Sequence, residues 1–419
     1  MIIIHIVNIM DARGAALPRL LQRTLAAAMQ TMPAVVVTGA RQTGKSTLVR
    51  DLVPAGDRLY LTLDDLDVLE QAGDRPDDLL GRARRITIDE IQRQPSLLRA
   101  VKRAIDERRT RGRFLLTGSA NLLLMRRVSE SLAGRASYLT LWPMTRREQR
   151  GLGRAGIWGE LLEAADDRWL DVVQDQRLEA EDWRPLAFRG GYPTPALELE
   201  SRDARATWFA GYVRTYLERD LQEISSVTAL PDLRRLMRAA CLRLGQLTNQ
   251  TELGRDVALP QPTVHRYLNL LETSYQLVRV PAYAVNRTKR LIKTPKLYWA
   301  DTGLALHLAG VDEPEGAHLE NLVLGDLLVW RESQSKPPEI LYWRTATGEE
   351  VDFVLEIGRT LVPIEVKATR HPRVEDARHL RSFRDEYKAR TRTGLLLHAG
   401  DRTEWLAPGI LSAPWWRVL

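Results

Sequence analysis

A glycine-rich turn between an apolar strand and the start of a helix limits what the first part of this 419-residue chain can fold into. The segment VVVTGARQTGKST, residues 35–47, runs from a β-branched stretch into the spacing Gly39-x4-Gly44-Lys45-Ser46. This spacing fits the pattern G-x-x-x-x-G-K-[ST], in which backbone N–H groups and a helix N-terminus surround phosphate oxygens. The spacing therefore predicts a phosphate-binding loop.

The residues of this loop would together bind ATP and Mg²⁺, which are the expected cofactors. Lys45, also counted as a catalytic residue, would contact the β- and γ-phosphates, and the Ser46 hydroxyl would be a ligand of Mg²⁺. The alternative is a glycine turn that arises by chance. The predicted strand before the loop and the predicted helix after it argue against this alternative, because a chance turn would need neither. The predicted nucleotide-binding residues are Gly39, Ala40, Arg41, Gln42, Thr43, Gly44, Lys45, Ser46 and Thr47.

A second strand end supplies the acidic groups that ATP hydrolysis requires. In the segment RRITIDEIQ, residues 84–92, a β-branched stretch stops at Asp89 and Glu90. Asp89 would hold Mg²⁺ through water, and Glu90 would be the catalytic residue that polarises the attacking water. An acidic pair after a strand is common and by itself indicates no function. It indicates an ATPase site here because the chain also contains the phosphate-binding loop.

Three more apolar stretches, RLYLTL, RFLLTG and YLTLWP, bring the predicted strands between residues 34 and 143 to five. Helical stretches separate them, which predicts a parallel α/β sheet with its site at the carboxyl ends of the strands. Thr117 and the candidate catalytic residue Ser119 would lie where a sensor of the γ-phosphate is needed. Arg135 is a candidate arginine finger for its own or a neighbouring subunit, and a solvated surface arginine is the alternative.

Eleven short segments of the chain recur, in this order, in a large family of bacterial and archaeal AAA-type ATPases, which the sequence resembles from about residue 18 to about residue 397. The resemblance implies a P-loop fold of the AAA type, an ATP site and a C-terminal region without an assigned function. It implies no particular substrate. The segments are GARQTGKSTL, IDEIQ, LLTGSAN, SLAGRA, LWPMTRRE, RGGYP, YVRTYLERDL, KLYWADTGL, HLENLVLGDLL, GEEVDFV and PIEVKA.

Composition limits the other possibilities. With 44% apolar residues, the chain can bury the cores of two or three domains. The single cysteine, Cys241, excludes an internal disulfide and suits a reducing cytosol, so a cytoplasmic location is expected. The apolar opening MIIIHIVNIM is too short to span a bilayer and has no basic segment, so we expect a strand or a frayed terminus and no membrane association.

Positive charge is concentrated between residues 228 and 300, where twelve Lys and Arg residues oppose four Asp and Glu residues. The formal charge of the whole chain is +7, so this segment accounts for the entire excess. Hydrophobic periodicity predicts three helices and then two strands with a basic tip, which is the layout of a winged helix. DNA is therefore the expected partner, and a protein partner on the same surface is the alternative.

The predicted winged helix assigns separate faces of its third helix to the core and to DNA. Its apolar residues Leu268, Leu270 and Leu271 would pack inward. The residues predicted to contact DNA are Thr263, His265 and Arg266 on the third helix and Arg287, Lys289 and Arg290 at the tip of the wing.

An aromatic helix is predicted between the two parts described so far. The stretch TWFAGYVRTYLERDLQEI, residues 207–224, places Trp208, Tyr212, Tyr216 and Ile224 near one helical face. A core or interdomain helix is favoured over an aromatic platform for nucleic acid.

The last third of the chain contains a second set of acidic residues. Glu320 lies near the start of a predicted helix, Asp352 lies on a strand, and Glu365 and Lys367 share one face of the next strand. This order resembles the PD-(D/E)xK nuclease core. The resemblance implies that the three carboxylates hold Mg²⁺ and that Lys367 acts on the attacking water. A degenerate module that holds DNA or docks a protein is the alternative.

The sequence therefore predicts an α/β protein in three parts: a parallel-sheet AAA-type P-loop ATPase domain over residues 1–185, a helical linker and winged helix over 186–300, and a restriction-endonuclease-like α/β domain over 301–419. We expect ATP hydrolysis coupled to DNA binding and to processing or remodelling, with helicase or nuclease activity left open. The rival hypothesis is an ATP-dependent signalling switch whose C-terminal region docks a protein. Assembly into a homo-oligomer also stays open.

Overall fold

The computed structural model describes residues 16–53, 56–119, 132–217 and 229–419. The expectations for the apolar opening at residues 1–10 and for Ile224 lie outside these ranges. No helix in the described ranges has the length and apolar character needed to cross a bilayer.

The N-terminal module is built on a sheet of five parallel strands in the order β2-β3-β4-β1-β5, which confirms the predicted strands. Both faces of the sheet are covered by apolar side chains, as all-parallel sheets require. Parallel strands end at one edge of a sheet, so their carboxyl ends lie together. The strands are β1 (Ala34–Thr38), β2 (Arg58–Thr62), β3 (Arg85–Asp89), β4 (Phe114–Thr117) and β5 (Ala136–Thr140).

Short helices cover this sheet. The first turn after the glycine-rich loop is α-helical and continues into a wider π-helical turn at Leu48–Leu52. The helix before β4 has a continuous apolar face that packs on the sheet, with Leu97, Val101 and Ile105 buried. The helices are α1 (Leu21–Thr31), α2 (Lys45–Thr47), α3 (Leu66–Asp74), α4 (Pro76–Gly81) and α5 (Leu97–Glu107).

Five linking helices follow the sheet and pack into the rest of the chain. Their tryptophans Trp158, Trp169 and Trp183 are buried in one apolar core that also contains residues of the later modules. The stretch between residues 151 and 184, which ends at the predicted domain boundary after residue 185, is therefore anchored by these large side chains. The helices are α6 (Arg146–Gln149), α7 (Trp158–Glu163), α8 (Trp169–Gln174), α9 (Trp183–Arg189) and α10 (Arg202–Tyr212).

The middle module has the predicted order of three helices followed by two antiparallel strands. Leu268, Leu270 and Leu271 of the third helix are buried, as expected. The segment between the strands differs from the prediction, because a short helix capped by the Asn286 side chain replaces the simple basic tip. The elements are α11 (Leu230–Leu242), α12 (Gln250–Asp256), α13 (Gln261–Thr273), β6 (Leu277–Val280), α14 (Arg287–Ile292) and β7 (Lys296–Trp299).

The C-terminal module is a mixed sheet of six strands in the order β12-β13-β11-β10-β9-β8. Strands β8, β9 and β10 are antiparallel, whereas β11 is parallel to both β10 and β13. Helices cover its two faces. The elements are α15 (Thr302–Ala309), α16 (Gly316–Glu332), β8 (Glu339–Arg344), β9 (Glu350–Ile357), β10 (Thr360–Lys367), α17 (Arg378–Glu386), β11 (Gly394–His398), β12 (Glu404–Ala407), β13 (Ile410–Pro414) and α18 (Trp415–Val418).

Buried polar contacts join the C-terminal module to the linking helices. Asp326 of α16 accepts hydrogen bonds at Oδ1 from the backbone N–H of Gly156, at 2.7 Å, and from Nε1 of Trp158, at 2.6 Å. The Arg146 guanidinium of α6 donates to the backbone oxygens of Trp416, at 2.9 Å, and Leu419, at 3.1 Å. These groups are buried at the junction, so their hydrogen bonds help to fix how the modules pack against each other.

Asp326 gives this junction a dependence on pH. Burial raises its pKa from 3.8 to about 6. A carboxyl group with a raised folded-state pKa stabilises the fold fully below its unfolded pKa, and that contribution is lost as the pH rises through 6. Relative to Asp326→Asn, the wild-type free energy of unfolding should therefore fall by roughly 2–3 kcal/mol between pH 4 and pH 7. Urea unfolding at both pH values measures the difference.

The exposed Asp312 provides the control, because Asp312→Asn should leave the pH profile unchanged. A pH profile of Asp326→Asn that parallels the wild type would contradict the assignment.

Candidate functional site

The glycine-rich loop closes tightly around its own lysine. Gly39 has φ of 138°, and an added Cβ would lie 2.4 Å from the carbonyl oxygen of Leu141, so only glycine fits there. The buried Lys45 ammonium donates to the carbonyl oxygens of Ala40, at 2.7 Å, and Gly39, at 3.2 Å. Gly44, with φ of 93°, then starts α2. The loop thus places an ammonium and a helix N-terminus at one point, where an anionic phosphate would bind.

The acidic pair lies at the same sheet edge, two strands away. The buried Asp89 carboxylate accepts from the Tyr60 hydroxyl, at 2.8 Å, and from the Thr117 hydroxyl. Thr117 in turn accepts the backbone N–H of Glu90, at 3.1 Å. The strand order puts β4 between β3 and β1, so Thr117 stands between the acidic pair and the loop. Thr117 therefore positions both acidic residues.

Glu90 has the features of a strained functional residue. Its φ of 58° is left-handed, which a side chain other than glycine rarely adopts without compensation. Burial raises the pKa of Glu90, and the nearby Lys45 ammonium opposes that shift. The Gln92 amide donates to its Oε2. A partly desolvated carboxylate near the phosphate-binding lysine is suited to accept a proton from water.

The other two residues predicted for catalysis of ATP hydrolysis, Ser119 and Arg135, lie in different places. Ser119 is buried beside the end of β4, and its hydroxyl has no hydrogen-bond partner within the part of the chain described. Its role as a γ-phosphate sensor stays a prediction.

Arg135 precedes β5, and its backbone oxygen accepts the N–H of Ala34, the first residue of β1, at 3.2 Å. Arg135 therefore lies at the edge of the sheet where the strands begin. A strand length of about 16 Å separates it from the loop, and its Nε lies 2.6 Å from Oδ1 of Asp106. The hypothesis that it reaches the phosphates of its own subunit is wrong, and the hypothesis for a neighbouring subunit stays a prediction.

Sequence patterns gave no indication of a buried arginine that supports the loop. Arg19 donates through Nη1 to the Thr43 carbonyl oxygen, at 2.9 Å, and through Nη2 to that of Trp142, at 2.7 Å. Its Nε lies 3.2 Å from Oε1 of Glu148. Arg19 belongs to no motif, and its partners are distant in sequence. Arg19 thus holds Thr43 of the loop close to Trp142, which follows β5.

Two tyrosines connect the middle module to the loop region, Tyr275 of that module and Tyr212 of the linking helix α10. The Tyr275 hydroxyl donates to Oγ1 of Thr38, the last residue of β1, at 2.9 Å. The Tyr212 hydroxyl donates to the Arg41 carbonyl oxygen, at 3.4 Å, and accepts from Nε2 of Gln276, at 3.1 Å. Tyr212 is buried, which agrees with the predicted interdomain helix. Tyr275 has φ of 58°, so its strained backbone directs the ring toward the loop.

The residues predicted to contact DNA fall into two groups. His265 and Arg266 are exposed on α13 and Thr263 is half-buried, and Arg287 and Lys289 are exposed on α14. Their contact with DNA is untested and stays a prediction.

Arg290 is a correction to the predicted DNA surface. Its side chain is 5% exposed, and Nη1 lies 2.6 Å from Oε2 of Glu356 and 2.7 Å from Oε2 of Glu339. Helix α14 turns this side chain inward, toward the C-terminal sheet. Arg290 is therefore bound to carboxylates of the chain itself, and the prediction that it faces DNA is wrong.

The acidic residues of the C-terminal module come together as predicted. Asp352 accepts the Val366 backbone N–H at Oδ2, at 3.0 Å, which fixes β9 beside β10. Glu365 pairs through Oε1 with Nζ of Lys367, at 2.6 Å, and its Oε2 is buried without a partner in the described structure. Burial and the charge of Asp352 raise the pKa values of Glu320 and Glu365.

The carboxylates of the predicted Mg²⁺ site lie beside two lysines. Among the described residues, no group of three or more His, Cys, Asp or Glu side chains is arranged to hold a metal ion. Lys296 of β7 was absent from the prediction, and its ammonium lies 3.1 Å from Oδ1 of Asp352 and 3.9 Å from Oε2 of Glu320. Glu320, Asp352 and Glu365 thus lie close to the ammonium groups of Lys296 and Lys367, and their role as Mg²⁺ ligands stays a prediction.

Comparisons with known proteins agree with the N-terminal site. Residues 31–149 match the family model of an AAA domain, and residues 180–315 and 315–417 match two domains of unknown function, DUF8612 and DUF4143. The N-terminal module is thus an AAA-type P-loop ATPase domain. The uncharacterized proteins Rv2008c of Mycobacterium tuberculosis and Mb2031c of Mycobacterium bovis are each 31% identical over 363 residues, or 85% of this chain and 74% of theirs. The chain belongs to the family of these proteins.

More distant proteins are also similar. An uncharacterized protein of Haemophilus influenzae is 23% identical over 288 residues, which cover 67% of this chain and 65% of that protein. Among solved structures, the Walker-type ATPase paby2304 of Pyrococcus abyssi matches 72% of this chain and 99% of its own, with 15% identity and a TM-score of 0.43. The expected relationship to AAA-type ATPases with an unassigned C-terminal region is confirmed by the family matches.

Two substitutions separate nucleotide binding from hydrolysis. Lys45→Ala should reduce ATP affinity by at least about 100-fold, because it removes an ammonium from the phosphate site. Glu90→Gln should bind ATP normally and lose about 100-fold or more in kcat, because the amide cannot accept the proton of the attacking water. Fluorescent-nucleotide titration and phosphate release measure the two quantities. Hydrolysis at the wild-type rate by Glu90→Gln would reject Glu90 as the base.

Proposed function

We propose that this AAA-type ATPase uses ATP binding and hydrolysis to change how its middle module binds DNA, and that it thereby processes or remodels DNA in the cytoplasm. The observation that carries the proposal is the direct contact of the middle module with the phosphate-binding loop. Tyr275 and Tyr212 link that module to Thr38 and to the Arg41 backbone. A loop that tightens on phosphate would shift both hydrogen bonds, because Thr38 and Arg41 flank Gly39.

The residues at the nucleotide site suit Mg²⁺. The Ser46 hydroxyl on the first turn of α2 and the Asp89 carboxylate are hard oxygen donors, and such donors are the ones Mg²⁺ prefers. They would hold the ion, which would neutralise charge on the phosphates when bound. Lys45 would orient the phosphates, and Glu90 would take the proton from water. Thr117, through its contacts with Asp89 and the Glu90 backbone, would keep these roles aligned.

The surface proposed for DNA is the exposed face of α13 together with α14. Arg266, Arg287 and Lys289 lie on these helices and are exposed. Val264, Leu268 and Leu271 hold the opposite face of α13 in the core, so the helix presents a fixed polar face. Exposed cations on a helix of fixed orientation are suited to phosphate contacts. In this proposal α13 and α14 contact DNA in the way that the third helix and the wing of a winged helix do.

The C-terminal module has a supporting role in this proposal. Its mixed sheet carries Asp352 on β9 and Glu365 on β10, and both carboxylates are paired with lysines. We propose that it holds the middle module, and through it the DNA, without cutting. In the rival signalling hypothesis, the same module would dock a protein and DNA would leave ATP turnover unchanged.

The DNA proposal predicts that charge reversal weakens binding. DNA should stimulate wild-type ATP turnover, and the triple substitution of Arg266, Arg287 and Lys289 by Glu should weaken DNA binding by about tenfold or more at 0.1 M salt. The salt slope of binding should also become shallower, by about one for each phosphate that the variant no longer neutralises. Fluorescence anisotropy over a range of salt concentrations and ATPase rates with single- and double-stranded DNA measure both effects.

A matched control reverses three exposed arginines of the ATPase domain, namely Arg23, Arg84 and Arg99. This control has the same change in net charge and should retain DNA binding. Equal weakening in both variants would indicate a general charge effect. ATP turnover that no DNA stimulates would favour the signalling hypothesis.

The coupling between modules can be tested without changing the nucleotide or the DNA surface. Tyr275→Phe removes the hydroxyl that reaches Thr38 and keeps the ring, whose centroid lies 5.8 Å from that of Trp142. ATP and DNA affinities should stay within about fivefold of wild type, since a neutral hydrogen bond contributes only about 1 kcal/mol. Stimulation of ATP turnover by DNA should be largely abolished.

Tyr342→Phe is the control, because it also removes a buried tyrosine hydroxyl, one that donates to the Thr294 carbonyl oxygen. This variant should keep the stimulation. Full stimulation in Tyr275→Phe would show that the modules are coupled by another route.

A further inference from the structure

The ammonium group of Lys296 is the centre of the carboxylate cluster in the C-terminal module. Its Nζ lies 2.6 Å from Oε1 of Glu350, 3.1 Å from Oδ1 of Asp352 and 3.9 Å from Oε2 of Glu320. The side chain is 2% exposed. Lys296 belongs to β7 of the middle module, whereas all three carboxylates belong to the C-terminal module. One module thus inserts a cation among the acidic residues of the other.

The surrounding hydrogen bonds fit an ammonium better than a metal ion. Asp352 accepts the Val366 backbone N–H at Oδ2, Glu320 accepts the Tyr298 hydroxyl at 3.0 Å, and Glu365 accepts from the Lys367 ammonium at Oε1. Mg²⁺ needs about six oxygen ligands at about 2.1 Å. In the described structure, only Oε2 of Glu365 is a buried cluster oxygen without a partner. A second cation near Nζ would also be repelled by it in a site with little water.

The geometry of strand β7 places this ammonium in the cluster. Lys296 and Tyr298 lie two residues apart and so project from the same face of the strand, where both reach Glu320. The strand is held by β6, in which Val280 pairs with Lys296, and by the isolated bridge from Leu247 to Lys296. The position of the ammonium is therefore set by backbone pairing and not by a flexible loop.

We infer that Lys296 occupies the cation position of this cluster, so that the C-terminal module binds an ammonium of the middle module in place of a divalent metal ion. While β7 is docked, the Lys296 ammonium takes the carboxylate contacts that Mg²⁺ would need for metal-dependent cleavage of nucleic acid. The cluster instead joins two modules by a buried ionic contact. This inference is independent of the ATP site.

Manganese binding by the nucleotide-free, full-length chain tests the inference. Mn²⁺ has an electron paramagnetic resonance signal that disappears on binding, so bound metal is counted directly. The wild type should bind no stoichiometric Mn²⁺ through this cluster. Any Mn²⁺ that the wild type binds elsewhere should therefore be bound equally by the Asp352→Asn variant. The double substitution Lys296→Gln/Glu350→Gln removes one positive and one negative charge. It should bind one Mn²⁺ per chain, and adding Asp352→Asn should abolish that binding.

Lys296→Arg is the matched control, because it keeps a cation in the cluster and should bind no Mn²⁺. Circular dichroism of each variant reports its fold. A double variant that folds only with Mn²⁺ supports the inference, because the metal then replaces the ammonium. Wild-type binding of one Mn²⁺ that Asp352→Asn removes would overturn the inference. So would a double variant that binds none, whether folded or unfolded.

Discussion

The parallel alignment of five strands is the constraint on which the active centre depends. It brings Thr38, Asp89, Thr117 and Thr140 to one edge of the sheet, although up to about one hundred residues separate them. The order β3-β4-β1 then sets the roles of the side chains at this edge. Thr117 of the central β4 can reach both members of the acidic pair, and the loop after β1 supplies the ammonium. Both other modules attach at the same edge, through Tyr275 at Thr38 and Glu332 at Thr140.

Helix α16 connects the three regions of the molecule in a rigid way. Glu320 near its start lies in the carboxylate cluster, Asp326 at its middle binds the linking helices, and Glu332 at its end accepts the Thr140 backbone N–H at 3.3 Å. The twelve residues from Glu320 to Glu332 span about 18 Å of helix. A packed helix moves largely as a unit, so α16 is a physical connection between the sheet edge at Thr140 and the carboxylate cluster at Glu320.

Local sequence patterns were enough to predict the strands of the ATPase domain, the three helices of the middle module and the phosphate-binding loop. Each of these features is encoded by apolar periodicity or by a motif within a short segment. The missed residues make contacts between distant segments. Arg19 reaches Trp142 across 123 residues, Tyr275 reaches Thr38 across 237, and Lys296 reaches Asp352 across 56. No single-sequence pattern marks such pairs. The prediction for Arg290 failed for a related reason, because a helix formed where a turn was expected and rotated that side chain inward.

Charge counted along the sequence overstates the positive surface of the middle module. Arg290 and Lys296 neutralise carboxylates of the C-terminal module, and Arg279 and Arg243 pair with acidic residues of their own module. Of the residues predicted for DNA, three exposed cations remain. Three phosphate contacts give a salt slope of only about −2.7, so affinity would fall about fortyfold between 50 and 200 mM salt. On the proposed function, a single chain would therefore hold DNA weakly and release it readily, which suits DNA contacts that are broken and remade in each ATP cycle.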